Sequence, residues 1–164
     1  MSKAVLISIR PEWCEKIING RKTIEVRKTR PKMNPPFKCY IYRSVQGGVI
    51  GEFVCDKIFE RIVRVGAICE PPKYCICDWN MDCTPLDTLL ADACLTKDEL
   101  EKYLDGGVGY GWHISNLRIY DTPRELREFY AVPNEAEVAL KAKPKPITRP
   151  PQSWRYVEEE TWND

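Results

Sequence analysis

Lys22, Glu25 and Arg27 stand in one short stretch, Gly20-Arg21-Lys22-Thr23-Ile24-Glu25-Val26-Arg27, which reads G-x-K-x-x-E-x-R. Residues 23–27 alternate polar and apolar, the pattern of a half-buried strand. Glu25 and Arg27 then share one side of it, roughly 7 Å apart. Lys22 sits at the junction with a preceding helix, where the chain direction can aim it at the same space. Two cations and one carboxylate suit a phosphate or a polar base. Arg27 offers a fork for an anion and Lys22 a point charge, while Glu25 can accept from an exocyclic amine such as that of cytosine. The same residues also suit a surface ion pair along a strand edge, worth at most about 1 kcal/mol. A catalytic use is a further reading. Amide hydrolysis needs an activated nucleophile or water, a proton shuttle and an oxyanion stabiliser. Lys22 would serve as base if desolvated, Glu25 would activate water, and Thr23 would be a nucleophile.

Three other constellations carry chemistry. Trp112 and His113 follow a glycine-rich run, Gly106–Gly111, that lets a ligand or a strand approach closely. Trp112 is either a stacking surface for an unpaired base, a contact worth about 1–3 kcal/mol, or a core residue. His113, the only histidine, is either a ligand contact or a structural ring with a hydrogen bond. Tyr40 and Tyr42 share a strand face beside Arg43 and line either a cleft or a barrel wall. Cys69, Cys75, Cys77 and Cys83 place four thiols within 15 positions. Four thiolates can close a structural zinc site, although paired C-x2-C knuckles are missing. That zinc is the one cofactor the sequence suggests; none is required.

These residues need elements to hold them. Ala4–Ile9 is an apolar first strand. Pro11 opens a helix that Gly20 stops. Strands are expected at 38–43, 49–58, 62–68, 112–120 and 154–157, and a short helix from Thr84 through Ala93. Capping boxes mark helices at Thr96–Glu99 and Thr122–Glu125. Residues 69–83 show no period, and 131–152, with five prolines, reads as extended. Strands near both ends of the chain suit a small barrel whose edges are paired.

The chain has 164 residues with 43% hydrophobic and 30% charged, the composition of one globular domain. The domain carries a cysteine-rich insertion around 69–93 and an extended basic, proline-rich segment around 141–153. No apolar run reaches the roughly 18 residues of a membrane span, and the start does not read as a cleaved signal peptide. A cytoplasmic protein with reduced thiols is expected. The net charge of +1 conceals segregation: +8 over residues 1–43, −8 over 44–140, +5 over 141–155 and −4 over the last nine. Such patterning points to a local positive surface. Phosphate-cradling glycine loops, G-x-S-x-G and H-E-x-x-H are absent.

The G-x-K-x-x-E-x-R motif between a helix end and a strand resembles the ASCH family, a branch of the PUA-like superfamily. LISIRPEW, GGVIGEFVCDKI, GYGWHISNLRIYD and ITRPPQSWRYVEE extend the resemblance over most of the chain, the last two to a bacterial and phage branch. It implies an α+β fold, a PUA-like pseudo-β-barrel of about five to six strands with short helices at its ends. It also implies binding of RNA or single-stranded nucleic acid in a cleft faced by Lys22, Glu25 and Arg27. One small branch of the family hydrolyses N4-acetylcytidine, and carries Thr where this chain has Glu25. Three functions are therefore open. They are nucleic-acid binding with Tyr42, Trp112 and His113 as further contacts, hydrolysis of an acylated nucleoside, and a protein-interaction module. Oligomeric state is not legible.

Overall fold

The structure is a computed structural model that describes residues 2–65, 73–77, 83–84 and 86–161. For residue 61 and residues 63–65, 73–77 and 83–84 only the backbone is described. The elements in chain order are Lys3–Ile9 (β1), Pro11–Ile18 (α1), Ile24–Arg27 (β2), Phe37–Arg43 (β3), Val49–Val65 (β4), Lys73–Cys77 (β5) and Cys83–Thr84 (β6). Then follow Asp87–Ala93 (α2), Lys97–Leu104 (α3), Gly109–Arg124 (β7), a 3-10 turn at Leu126–Glu128, Glu135–Ala139 (α4) and Trp154–Glu158 (β8). The fold is α+β, as expected: a mixed sheet whose six-strand path runs β2-β7-β4-β3-β1-β8, with β5 and β6 added off β4. No helix among the described residues is long and apolar enough to cross a membrane.

The chain divides into two compact units. The first comprises Met1–Glu15, Pro36–Val54 and Asn116–Asp164. Its centre is β1, paired in parallel with β3 (Val5 opposite Cys39) and antiparallel with β8 (Val5 opposite Tyr156). A strand flanked on both sides and covered on both faces should be apolar throughout, and residues 4–7 of β1 are fully buried. Ala4, Leu6, Tyr40, Val49, Phe129, Ile147 and Val157 form its core.

The second unit comprises Lys16–Pro35 and Cys55–Ser115. Its core gathers Ile24 and Val26 of β2, Ile62 of β4, Leu86, Leu89 and Ala93 at α2, and Leu100 and Leu104 of α3. The α3 helix starts as expected. The Thr96 hydroxyl accepts from the Glu99 N–H at 3.1 Å, and the Glu99 carboxylate accepts from the Thr96 N–H at 3.0 Å, a cap worth about 1 kcal/mol. The glycines of the 106–111 run have a use the sequence left open. Gly109 and Gly111 lie in β7 rather than in a turn, directly under the helices. A methyl group at Gly109 would stand 2.9 Å from a Leu104 methyl. At Gly111 it would stand 3.2 Å from Ile24 and 3.4 Å from Leu89. The close approach is by the protein's own core, not by a ligand.

Other elements depart from expectation for tertiary reasons. The two strands expected at 49–58 and 62–68 are one 17-residue strand, β4; residues 66–68 lie outside the described residues. Within the aperiodic 69–83 segment, β5 forms by pairing with β4 (Val63 opposite Cys75), and β6 pairs with β5 (Cys77 opposite Cys83). Partner strands rather than periodicity specify both. The Thr122 capping box does not form, because β7 continues through Arg124. A box between Glu125 and Glu128 caps the 3-10 turn instead. The extended 131–152 segment contains one short helix, α4, started by Asn134 and Glu137.

Candidate functional site

β2 ends the strand order and is hydrogen-bonded to β7 with Ile24 opposite His113, Glu25 opposite Trp112, Val26 opposite Gly111 and Arg27 opposite Tyr110. Ile24 and Val26 point into the core of the second unit. Glu25 and Arg27 share the other side, as the alternation predicts. The residues just before β2 are tied to the C-terminal end of α2. The Thr23 N–H donates to the Asp92 carbonyl at 2.8 Å, and the Lys22 ammonium donates to the Ala93 carbonyl at 2.6 Å. Carbonyls at a helix C-terminus lack intrahelical donors and carry partial negative charge, so a cation belongs there.

The three charged side chains converge. Arg27 reaches one Glu25 oxygen with both Nε and Nη2 at 2.9 Å. Lys22 Nζ lies 3.3 Å from the other oxygen. The cluster is not the exposed surface pair that spacing alone allowed. Lys22 is 3% exposed, Glu25 7% and Arg27 9%. Ion pairs this dry cost several kcal/mol per ion in lost hydration, repaid only by tight mutual geometry. Lys22 is thus held between a carboxylate and a backbone carbonyl.

One residue of this neighbourhood was missed from sequence. Tyr103 of α3 is 39% exposed, and its ring lies 5.1 Å from Lys28 Nζ. Burial raises its phenol above the ordinary range; Arg27 opposes the shift, Glu25 adds to it, and a hydrogen bond from the Lys28 backbone opposes it. The signal available was its i+3 spacing from Leu100, which sets it on the flank of the helix. Nothing local says that this flank adjoins β2.

The remaining expected contacts are placed as follows. Trp112 shares the face of Glu25 but is fully buried, so its ring is a core residue with no face for a base. Thr23 is half-buried, with its backbone N–H and carbonyl in the hydrogen bonds that join α2 and β7. His113 points away from Trp112, and its Nδ1 lies 2.6 Å from Asp56 of β4. The hydrogen bond to His113 holds the Asp56 carboxyl below the ordinary range, partly opposed by desolvation and helped by Ser115. Tyr42 belongs to the first unit, where it is half-buried against that core. Of the four zinc candidates, Cys69 lies outside the described residues, as do the side chains of Cys75, Cys77 and Cys83. Among the described residues no cluster of His, Cys, Asp and Glu could hold a metal ion.

A family model for the ASCH domain matches residues 7–104, a stretch that contains β2, the charged cluster and α3. The chain belongs to the ASCH family. Its fold is similar to that of an ASCH protein from Zymomonas mobilis, known from a crystal structure. The two share 18% identity and superpose with a TM-score of 0.60 over 95% of this chain and 88% of that one. Two single-substitution variants of the Zymomonas protein align equally well, one with tyrosine changed to phenylalanine at 18% identity and one with serine changed to alanine at 17%, both with a TM-score of 0.60. They cover 96% and 95% of this chain and 92% and 89% of theirs. No curated protein sequence matches it. At such identity the likeness speaks for the ASCH/PUA-like fold and not for a ligand.

Proposed function

We propose that this ASCH domain binds RNA or another single-stranded nucleic acid, with one nucleotide held in a basic cleft beside the Lys22–Glu25–Arg27 cluster. The observation that carries the reading is the burial of this ion network on the terminal strand of the sheet path. Apolar residues of similar size would hold β2 at least as well, since buried ion pairs seldom exceed hydrophobic replacements in stability. Recognition explains the charges better. Lys22 and Arg27 supply the positive potential that a phosphate needs, and Glu25 an acceptor for a base amine. No cofactor is required, and a cytoplasmic location fits the free thiols of Cys14, Cys39, Cys55 and Cys94.

Photo-crosslinking of a 4-thiouridine RNA, followed by peptide mapping, tests the assignment. Cross-links are expected on the peptides that contain residues 22–28 and 97–104. Cross-links confined to the basic segment 141–155 would overturn it.

The Lys22–Glu25 contact favours a second reading, hydrolysis of an acylated nucleoside. Water would add to the acyl carbonyl and the nucleoside amine would leave with a proton. Turnover of N4-acetylcytidine, abolished by Lys22→Met, is its signature. The absence of turnover across a panel of acylated nucleosides would eliminate it.

A further inference from the structure

We propose that Tyr103 and Lys28 form a clamp for a single unpaired nucleotide beside the charged cluster, the base stacking on the Tyr103 ring and the adjoining phosphate meeting Lys28. The inference rests on the nucleic-acid reading above and deepens it, because it makes single-stranded rather than duplex nucleic acid the ligand.

The side chains of Lys22, Glu25 and Arg27 are between 2% and 11% exposed. A polymer therefore needs an exposed neighbour on which to seat itself. Trp112 cannot be that neighbour, being fully buried. Tyr103 is a large aromatic side chain left 39% exposed, and the charges of Arg27 and Glu25 both act on its phenol. The helix that carries it is anchored in the core by Leu100 and Leu104, so the ring is presented from a rigid element, which is what preorganisation contributes to affinity. Lys28 adjoins Arg27 in the chain, is exposed, and has its ammonium 5.1 Å from the ring centre. Ring and ammonium are thus immediate neighbours, as are the base and phosphate of one nucleotide. Every base has a π face that an aromatic side chain can meet, but only an unpaired, splayed base exposes it.

The test is a fluorescence-anisotropy titration of a labelled heptanucleotide RNA and of the same sequence as a duplex. The proteins are the native chain and its Tyr103→Phe, Tyr103→Leu and Lys28→Ala variants. Leucine keeps an apolar side chain at the position without a π face, and circular dichroism checks each fold. The native protein and Tyr103→Phe are expected to bind alike and to prefer the single strand. Tyr103→Leu should weaken single-strand binding by about 5- to 140-fold, the worth of one base–aromatic stack. Lys28→Ala should lower the slope of log affinity against log salt by about 0.7, one phosphate contact on a single strand. Native-like binding by folded Tyr103→Leu overturns the clamp while leaving the charged cluster as the site. Failure of the native protein to bind either RNA overturns the nucleic-acid reading itself, and the clamp with it.

Discussion

Replacing Glu25 with glutamine keeps the side chain's shape and removes its charge. Both oxygens of Glu25 are engaged, one by two nitrogens of Arg27 at 2.9 Å and the other by Lys22 at 3.3 Å. Glutamine can keep its carbonyl toward only one of these cations. If Arg27 retains it, the amide NH2 faces the Lys22 ammonium, donor against donor. Two cations then stay buried without their carboxylate. Breaking a buried ion network by removing one partner costs about 3–5 kcal/mol, whereas an exposed pair costs at most about 1 kcal/mol. For a chain of this size the larger figure corresponds to a fall in Tm of about 6–20 °C. Urea unfolding followed by far-UV circular dichroism gives the free energy, with a thermal scan as a second readout. A loss below 1 kcal/mol in Glu25→Gln would refute the reasoning, because it would mean that water screens the cluster despite its burial. The complementary variant replaces all three ions together, as Lys22→Met/Glu25→Leu/Arg27→Met. It removes every charge, so its stability should match or exceed that of the native chain.

Three further outcomes follow from the geometry. Gly111→Ala sets a methyl group 3.2–3.4 Å from Ile24, Leu89 and Phe59 and should cost about 1–3 kcal/mol, measured by urea unfolding; an unchanged midpoint would mean that α2 yields without strain. Asp56 has its carboxyl held low in the folded chain by His113. Its contribution is therefore present above the unfolded value of about 3.9 and is lost as pH falls through the lower folded value. Stability curves of native and Asp56→Asn protein should converge in that acid window and differ by at most about 1 kcal/mol above it, the limit for a solvent-screened pair; parallel curves would remove the linkage. Cys55 is fully buried, and burial pushes its thiol up to about 12. Iodoacetamide at pH 8.5 should modify it only after unfolding, as peptide mass mapping would show; labelling of the native chain as fast as at half-buried Cys94 would contradict this.

Much of the fold was legible where a signal is local. The alternation over 23–27 located β2, the apolar run of 4–9 located β1, and the Thr96–Glu99 box located the start of α3. Elements specified by their partners were not. The strands β5 and β6 exist because β5 pairs with β4 and β6 with β5, and their sequences carry no alternation that announces it; nor does any local signal announce that the strands expected at 49–58 and from 62 onward join into one. The candidate site divides in the same way. The G-x-K-x-x-E-x-R spacing brought Lys22, Glu25 and Arg27 to one place on paper, yet left their burial open, because burial depends on α2 closing over the β2 entrance. Tyr103 was missed because 75 residues separate it from Lys28. Trp112 looked like a candidate ligand platform because its glycine neighbours suggested open space, which Leu104 and Leu89 fill.

The central claim is that the buried Lys22–Glu25–Arg27 cluster exists for recognition rather than for stability. Its most direct test is an anisotropy titration of single-stranded RNA, at low and physiological salt, with the native chain and the Lys22→Met/Glu25→Leu/Arg27→Met variant. Removal of all three charges leaves no orphan ion behind, so the fold is preserved and a loss of binding reports on the site. Saturable, salt-sensitive binding by the native chain is expected, with at least a tenfold loss in the folded variant. Equal binding by the two proteins would contradict the claim.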